Sequence, residues 1–223
     1  MTDEHFEHWF SQRNPKWDEV IESPRVPALM GMLDGIKADE MLDLGCRDGI
    51  LTRLIADKLG IGKPYGADIS EDALEMAKKR GIKTFKCDLE ERLPFEDDFF
   101  DLVFVGEAIE YIYKTDAFIR EVHRILKPGG TLIISTQNLT SFWDRIFMLF
   151  GWHPPHCEVS IEHYYGRPFV RFDNPARHIH VFSVGAMKHF LTFNKFHIKE
   201  IKGDWPIPSL SFWFVVKAKK WVH

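Results

Sequence analysis

An α/β fold on a mostly parallel sheet is predicted by three observations. Short apolar runs alternate with helix-periodic segments between residues 40 and 136. Two of the early runs end in an acid, Asp43 and Asp68, and a later one ends in Gly106. The first run passes straight into a loop framed by Gly45 and Gly49, and a helical pattern of Leu51, Leu54, Ile55 and Leu59 follows. Strands alternating with helices imply parallel pairing through right-handed crossovers. In such open sheets the ligand crevice lies at the carboxyl ends of the strands.

The elements follow in order. Residues 1–38 carry Trp9, Phe10, Trp17, Val20, Ile21 and the run Ala28 to Leu33, which predict one or two helices packed across the sheet before the first strand. The alternation then predicts strand 40–44, helix 49–59, strand 64–67, helix 71–80, strand 83–86, strand 100–105, helix 115–126 and strand 130–136. Ser70 followed by Glu71 and Asp72 marks a helix N-terminus, with acids in the first turn complementing the helix dipole. Residues 184–193 form an amphipathic helix, and strands are expected at 197–201 and 210–218 around a short Pro-containing loop.

Length and composition fit a single domain over residues 1–223. No stretch approaches 18 consecutive apolar residues and the N-terminus is polar, so neither a membrane span nor a secretory signal is expected, and the cytoplasm is the default. Three cysteines without framework spacing suit a reducing compartment. The net charge of −4 argues against a general nucleic-acid binder. It conceals an asymmetry: residues 1–175 carry 21 basic and 31 acidic side chains, residues 176–223 carry 8 and 2. A basic tail can meet phosphates or an acidic membrane surface, although alternating lysines such as Lys217 and Lys219 also describe the wet side of an edge strand.

The loop 43–49 carries the chemistry. Glycine permits unusual dihedrals and lets backbone lie directly against a ligand. Gly45 and Gly49 give G-x-x-x-G, whereas a dinucleotide site requires G-x-G-x-x-G, and Arg47 stands where its second glycine would be. Asp68, 25 residues after Asp43 at the end of the second strand, can accept two ribose hydroxyls at once.

The sequence Asp43-Leu44-Gly45-Cys46-Arg47-Asp48-Gly49 resembles motif I of the class I S-adenosyl-L-methionine (SAM) dependent methyltransferases. Four later segments match the family in order: 64–70, 83–89, 100–106 and 126–135. The resemblance implies a Rossmann-like, seven-stranded sheet with helices on both faces and an antiparallel last strand, with SAM as cofactor. It implies that Asp43, Gly45, Cys46, Gly49, Asp68, Ile69, Asp88, Leu89 and Gly106 form the cofactor site. Asp88 would accept from the adenine amino group and the Leu89 amide would read a ring nitrogen, with Glu90 and Glu91 as alternatives to Asp88. Many relatives show E-x-x-E-H after the fourth strand; this chain has Glu107-Ala108-Ile109-Glu110-Tyr111, so a histidine base is missing there.

Residues 139–181 interrupt the alternation with many aromatics and several prolines, which suggests a lid-like insertion that selects the acceptor. Its rival is a homodimer interface burying Trp143, Phe147 and Trp152. The positions Asn138, Ser141, Arg145, Gly151, Pro154, His178, Ile179, His180 and Phe182 resemble small-molecule methyltransferases found beside sugar and polysaccharide genes, with His180 where that pattern prefers Arg. A small-molecule acceptor is therefore expected. His178, His180 and His153 are the candidate catalytic bases. Cys46 and Cys87 are read as buried packing thiols. His153, His156, Cys157 and His163 lack the tight paired spacing of a zinc site, so no metal is expected.

Overall fold

Met41–Leu44 is buried at every position, the mark of a strand covered on both faces. In the computed structural model it is β1, and it pairs in parallel with β2 (Tyr65–Asp68) on one side and β4 (Phe100–Gly106) on the other. The structure describes residues 25–157 and 178–222, together with Ser23, Val159, Ser160, His163, Tyr165 and Gly166. The expectations for residues 1–22 and for much of 161–177 lie outside the described residues.

The remaining elements are α1 (Arg25–Met32), α2 (Ile50–Leu59), α3 (Glu71–Lys79), β3 (Lys83–Lys86), α4 (Thr115–Ile125), β5 (Leu126–Gln137), α5 (Phe142–Leu149), α6 (Val184–Phe193), β6 (Phe196–Gly203) and β7 (Trp213–Lys220). One seven-stranded sheet runs β3-β2-β1-β4-β5-β7-β6. β7 lies antiparallel between β5 and β6, and the first five strands are parallel. The expected architecture is therefore present.

Alternation along the strands makes two cores. Leu42, Leu44, Val103, Val105, Leu132 and Ile134 pack with Phe118 and Val122 of α4 and Met187 and Leu191 of α6. Met41, Leu102, Phe104, Ile133 and Val215 face the other way, onto Leu29 and Met32 of α1 and Ile55 of α2. A period of two in the strands thus meets helices on both faces.

Several boundaries differ from the sequence reading. Helix 49–59 begins one residue later, because Gly49 is its N-cap with φ 79°. The strand expected at 130–136 already starts at Leu126, which pairs with Phe100 before the register shifts, with Gly129 at φ 74°. The strand expected from residue 210 starts at Trp213, because Pro208–Leu210 form a 3-10 turn closed by the buried Ser211, whose hydroxyl accepts from the Trp205 amide at 3.1 Å. The insertion contains α5, which the sequence reading did not separate from its surroundings.

The alternating lysines of the C-terminal segment sit on β7, an interior strand between β5 and β6 rather than the expected edge strand. Lys217 pairs with Glu200 at 3.0 Å and donates to the Met32 carbonyl, while Lys220 pairs with Asp98 at 2.6 Å and donates to the Leu126 carbonyl. These lysines fasten β6 and β7 to the body of the protein.

Candidate functional site

The carboxyl ends of β1, β2 and β4 converge where the chain is most constrained. Gly45 and Gly49 both sit at φ 79°, and the non-glycine residues Arg47 and Glu107 also take positive φ, 50° and 52°. Such strain at two adjacent strand ends is characteristic of binding sites. A Cβ at Gly45 would come within 2.8 Å of the Ala108 Cβ, and one at Gly49 within 2.2 Å of the Ile82 Cδ1. The loop therefore requires glycine first for its own packing. Replacing Gly45 by valine would strain the fold as well as any ligand contact.

Asp68 organises the loop. It is 6% exposed; one carboxylate oxygen accepts from the Arg47 amide at 2.8 Å and the other from the Ser70 amide at 2.9 Å. Burial raises its pKa, while these two amides and the Arg47 charge act the other way. A carboxylate has about four lone-pair sites, so acceptor capacity remains for a hydroxyl-bearing ligand. Ile69 beside it is half-buried.

Asp43 is turned beneath α2 rather than toward the mouth. It is 2% exposed and accepts from the Thr52 hydroxyl at 2.6 Å, and burial pushes its pKa to about 7. Its other oxygen is buried without a protein partner. Cys46 is buried and burial lifts its thiol well above the usual range; Cys87 is raised to about 11 for the same reason, so both stay protonated. The Gly45 and Cys46 amides donate to the Ala67 carbonyl at 2.8 and 3.1 Å, tying the loop to β2.

Asp88 is half-buried and accepts from the Glu90 amide at 2.8 Å, which forms a tight turn after β3. Glu90 is committed elsewhere: its carboxylate accepts from the Tyr113 and Lys114 amides. Glu91 lies 3.9 Å from the Lys114 ammonium and its side chain is mostly exposed. Leu89 packs on the core edge, and Gly106 ends β4 half-buried against the Phe104 ring.

After β4 the two glutamates take different surroundings. Glu107 pairs with Arg25 of α1 at 2.7 Å. Glu110 is 1% exposed, accepts from the Thr136 hydroxyl at 3.2 Å, and is pushed to about pKa 8 by burial and by the nearby Glu107 charge. Its backbone carbonyl accepts from the Ile179 and His180 amides at 2.8 and 3.1 Å. Those bonds bring the end of the insertion against the end of β4, and the His178 ring lies 5.4 Å from the Tyr111 ring. The chain thus sets a histidine from the insertion beside the position where its motif has tyrosine. The His180 ring contacts the Tyr113 carbonyl at 3.2 Å. His153 is anchored elsewhere, through its amide to the Gly166 carbonyl at 2.9 Å.

Sequence reasoning missed three parts of this region. The Arg25–Glu107 and Thr136–Glu110 contacts join residues distant in the chain and carry no local pattern. The pair Asp144–His156, 2.8 Å apart and buried, was also missed, although Ser141-x-x-Asp144 is a legible helix-start signal. Several residues of the sugar-type pattern hold scaffold: Asn138 donates to the Ser209 and Ser211 carbonyls, Ser141 caps α5, and Arg145 donates to the Thr140 carbonyl. Among the described residues no group of three or more histidines, cysteines and acids is placed to hold a metal.

The fold and this loop define a Rossmann-like α/β protein with its constrained loop at the carboxyl ends of β1, β2 and β4. Residues 42–134 match the methyltransferase-domain family model. The malonyl-[acyl-carrier protein] O-methyltransferase of Marinomonas sp. is 29% identical over 148 residues, which are 64% of this chain and 55% of that protein. The demethylmenaquinone methyltransferase of Staphylococcus aureus is 35% identical over 115 residues, 49% of this chain and 46% of that one. The crystal structure of an S-adenosylmethionine dependent methyltransferase from Mesorhizobium loti superposes with a TM-score of 0.66 at 21% identity, over 92% of this chain and all of that one. Over residues 42–134 the chain is similar to a methyltransferase-domain family, and the Mesorhizobium loti protein whose fold it shares is S-adenosylmethionine (SAM) dependent. The chain spans about half the length of the curated relatives it matches.

The site fits that cofactor chemically. One carboxylate oxygen each of Asp43, Glu107 and Glu110 is buried without a protein partner. SAM brings an ammonium, ribose hydroxyls and an adenine amino group, all donors, and the Asp68, Asp88 and Glu107 carboxylates after the strand ends offer acceptors for them.

Proposed function

We propose that this chain transfers the methyl group of SAM to a small-molecule acceptor bearing a nucleophilic oxygen or carbon. SAM, when bound, supplies a methyl carbon on a positively charged sulfur, open to in-line displacement. Asp68 accepts the ribose hydroxyls and Asp88 the adenine amino group. The amides of the 45–49 loop and of Leu89, with Ile69 and Gly106, shape the remaining wall. Asp43 acts as a strut, holding the loop to α2 through Thr52. The chain's main task is then to align acceptor and methyl carbon, which is worth roughly 7–11 kcal/mol of a barrier.

His178 is the base this reading favours when the acceptor is a hydroxyl. Its neighbours Tyr111 and Glu110 follow β4 directly, at the end of the sheet where the loop lies. The acceptor proton passes to its imidazole as the new bond to the methyl carbon forms and the carbon–sulfur bond breaks. Such a base contributes on the order of 10²- to 10⁴-fold. The single observation that carries the reading is Asp68, fixed by two loop amides and left with open acceptor sites at the end of β2. The names of the relatives, acting on demethylmenaquinone and on a malonyl carrier, favour a small acyl or ring-bearing acceptor.

Incubation with methyl-labelled SAM and a fractionated cell extract tests the reading. Label in the low-molecular-weight organic fraction is expected. Label in RNA or protein would replace the acceptor class, and tight SAM binding without any transfer would make the chain a non-catalytic SAM-binding partner.

A further inference from the structure

Helix α5 is inside out. A surface helix normally buries an apolar stripe and exposes its charges. In α5 the one fully buried residue is the acid, Asp144, held by the Ser141 hydroxyl and by His156 Nδ1 at 2.8 Å. The outward side chains are large and apolar: Trp143 is 55% exposed, Leu149 76%, and Phe150, just past the helix end, 63%. With Asp144 withdrawn, Arg145 is the one ionised side chain that α5 presents. The apolar surface continues across the loop before β7, where Trp205 stacks on Phe142 at 5.5 Å.

We propose that this face docks on the surface of an anionic glycerophospholipid bilayer. A short helix with aromatic and aliphatic side chains outward and a cation among them is suited to the headgroup boundary. There tryptophan and phenylalanine rings find an amphipathic layer, and arginine meets lipid phosphate. The charge arrangement favours lipid over a second copy of the chain. A two-fold pairing through α5 would take each copy's Arg145 out of water into an apolar interface, with no acid of α5 to pair with because Asp144 is buried. The position of the face adds a consequence. α5 starts five residues after the end of β5, and His156, which holds Asp144, has its carbonyl 3.4 Å from His178 Nδ1. Docking therefore brings the lipid surface next to the acceptor side of the site. The docking stands on the surface alone; that its acceptor is a lipid-borne amphiphile rests on the methyltransferase reading.

The test is co-sedimentation of the full chain with vesicles of mixed phosphatidylglycerol and phosphatidylcholine, read against phosphatidylcholine alone. The wild type should sediment with the anionic vesicles and its tryptophan emission should shift to the blue. A Leu149→Glu, Phe150→Glu double variant with unchanged thermal unfolding should lose partitioning by about tenfold or more, and Arg145→Glu should remove the preference for anionic lipid. Wild-type protein left in the supernatant overturns the proposal, as does a double variant that sediments equally well. A dimer in light scattering that the double variant dissolves, with no vesicle binding, assigns the face to self-association instead. Calorimetry with SAM separates the two readings: vesicle binding by a protein that gives no heat with SAM supports docking and removes the methyltransferase reading.

Discussion

At the scale of single residues, the site is a collection of buried carboxylates with different duties. Asp68 is the one whose loss should be read in ligand affinity. Asp68→Ala is expected to weaken SAM binding by about 10- to 100-fold in calorimetry, since a hydrogen bond to a charged acceptor is worth roughly 1.5–3 kcal/mol and each 1.4 kcal/mol is tenfold. Unchanged affinity in a folded variant would show that the ribose is held elsewhere. Glu110 should be read in stability. Burial, then the Glu107 charge, raises its pKa to about 8, and burial raises that of Asp43 to about 7. An acid with a raised folded pKa loses native-state stability once the unfolded chain gives up its proton, and the loss continues until the native state ionises too. Stability is therefore lost as pH rises from the ordinary carboxylate range through about 7 and about 8. The thermal midpoint should fall between about pH 5 and about pH 8.5, and Glu110→Gln should flatten the upper part of that fall. An equal pH dependence in the variant would assign the loss to other groups.

At the scale of elements, legibility followed locality. The unit β1, loop and α2 could be read because everything that specifies it lies within residues 41–59: four buried strand positions, two left-handed glycines and an apolar helix stripe. Asp68 was legible for the same reason, at the end of a short strand followed by the Ser70 cap. Helix α5 was not, because periodicity looks for apolar residues turned inward, and here the inward residue is Asp144 and the apolar ones face out. Its attachment is polar, so polar substitutions should release it. Ser141→Ala removes the side chain that accepts from the Asp144 amide at 3.2 Å and should cost about 1 kcal/mol. His156→Ala leaves the buried Asp144 carboxylate with the Ser141 hydroxyl but without its ring partner and should cost more, about 1.5–3 kcal/mol for a lost hydrogen bond to a charged group. Denaturant unfolding gives both values, and limited proteolysis between residues 139 and 157 should quicken in the same order. A His156→Ala variant as stable as the wild type would mean that α5 is held by something other than this pair.

At the scale of the whole molecule, the order of the sheet makes the last strand an interior one. β7 pairs with β5 over Thr131 to Gln137 and with β6 over Phe196 to Gly203, so among the described residues it alone joins β6 to the other strands of the sheet. Trp213, Phe214, Val215 and Val216 are all buried, and they serve both cores: Phe214 and Val216 face α4 and α6, Trp213 and Val215 face α1 and α2. Local alternation proposes a strand there but not its place, because antiparallel insertion is a long-range pairing; the resemblance supplied the antiparallel last strand, and the sheet order bears it out. Removing residues 213–222 would strip hydrogen bonds from one side of β5, detach β6 and empty part of each core. An exposed sheet interior of that kind is a template for aggregation. A chain ending at residue 212 should therefore fail to unfold cooperatively and should form aggregates. Reduced β6 and α6 protection in hydrogen exchange should accompany this, while the β1-loop-α2 unit, whose contacts are local, keeps the most residual structure. A soluble truncated chain that still unfolds in one cooperative transition would show that the five parallel strands are a self-sufficient folding unit and that β6 and β7 are an appendage.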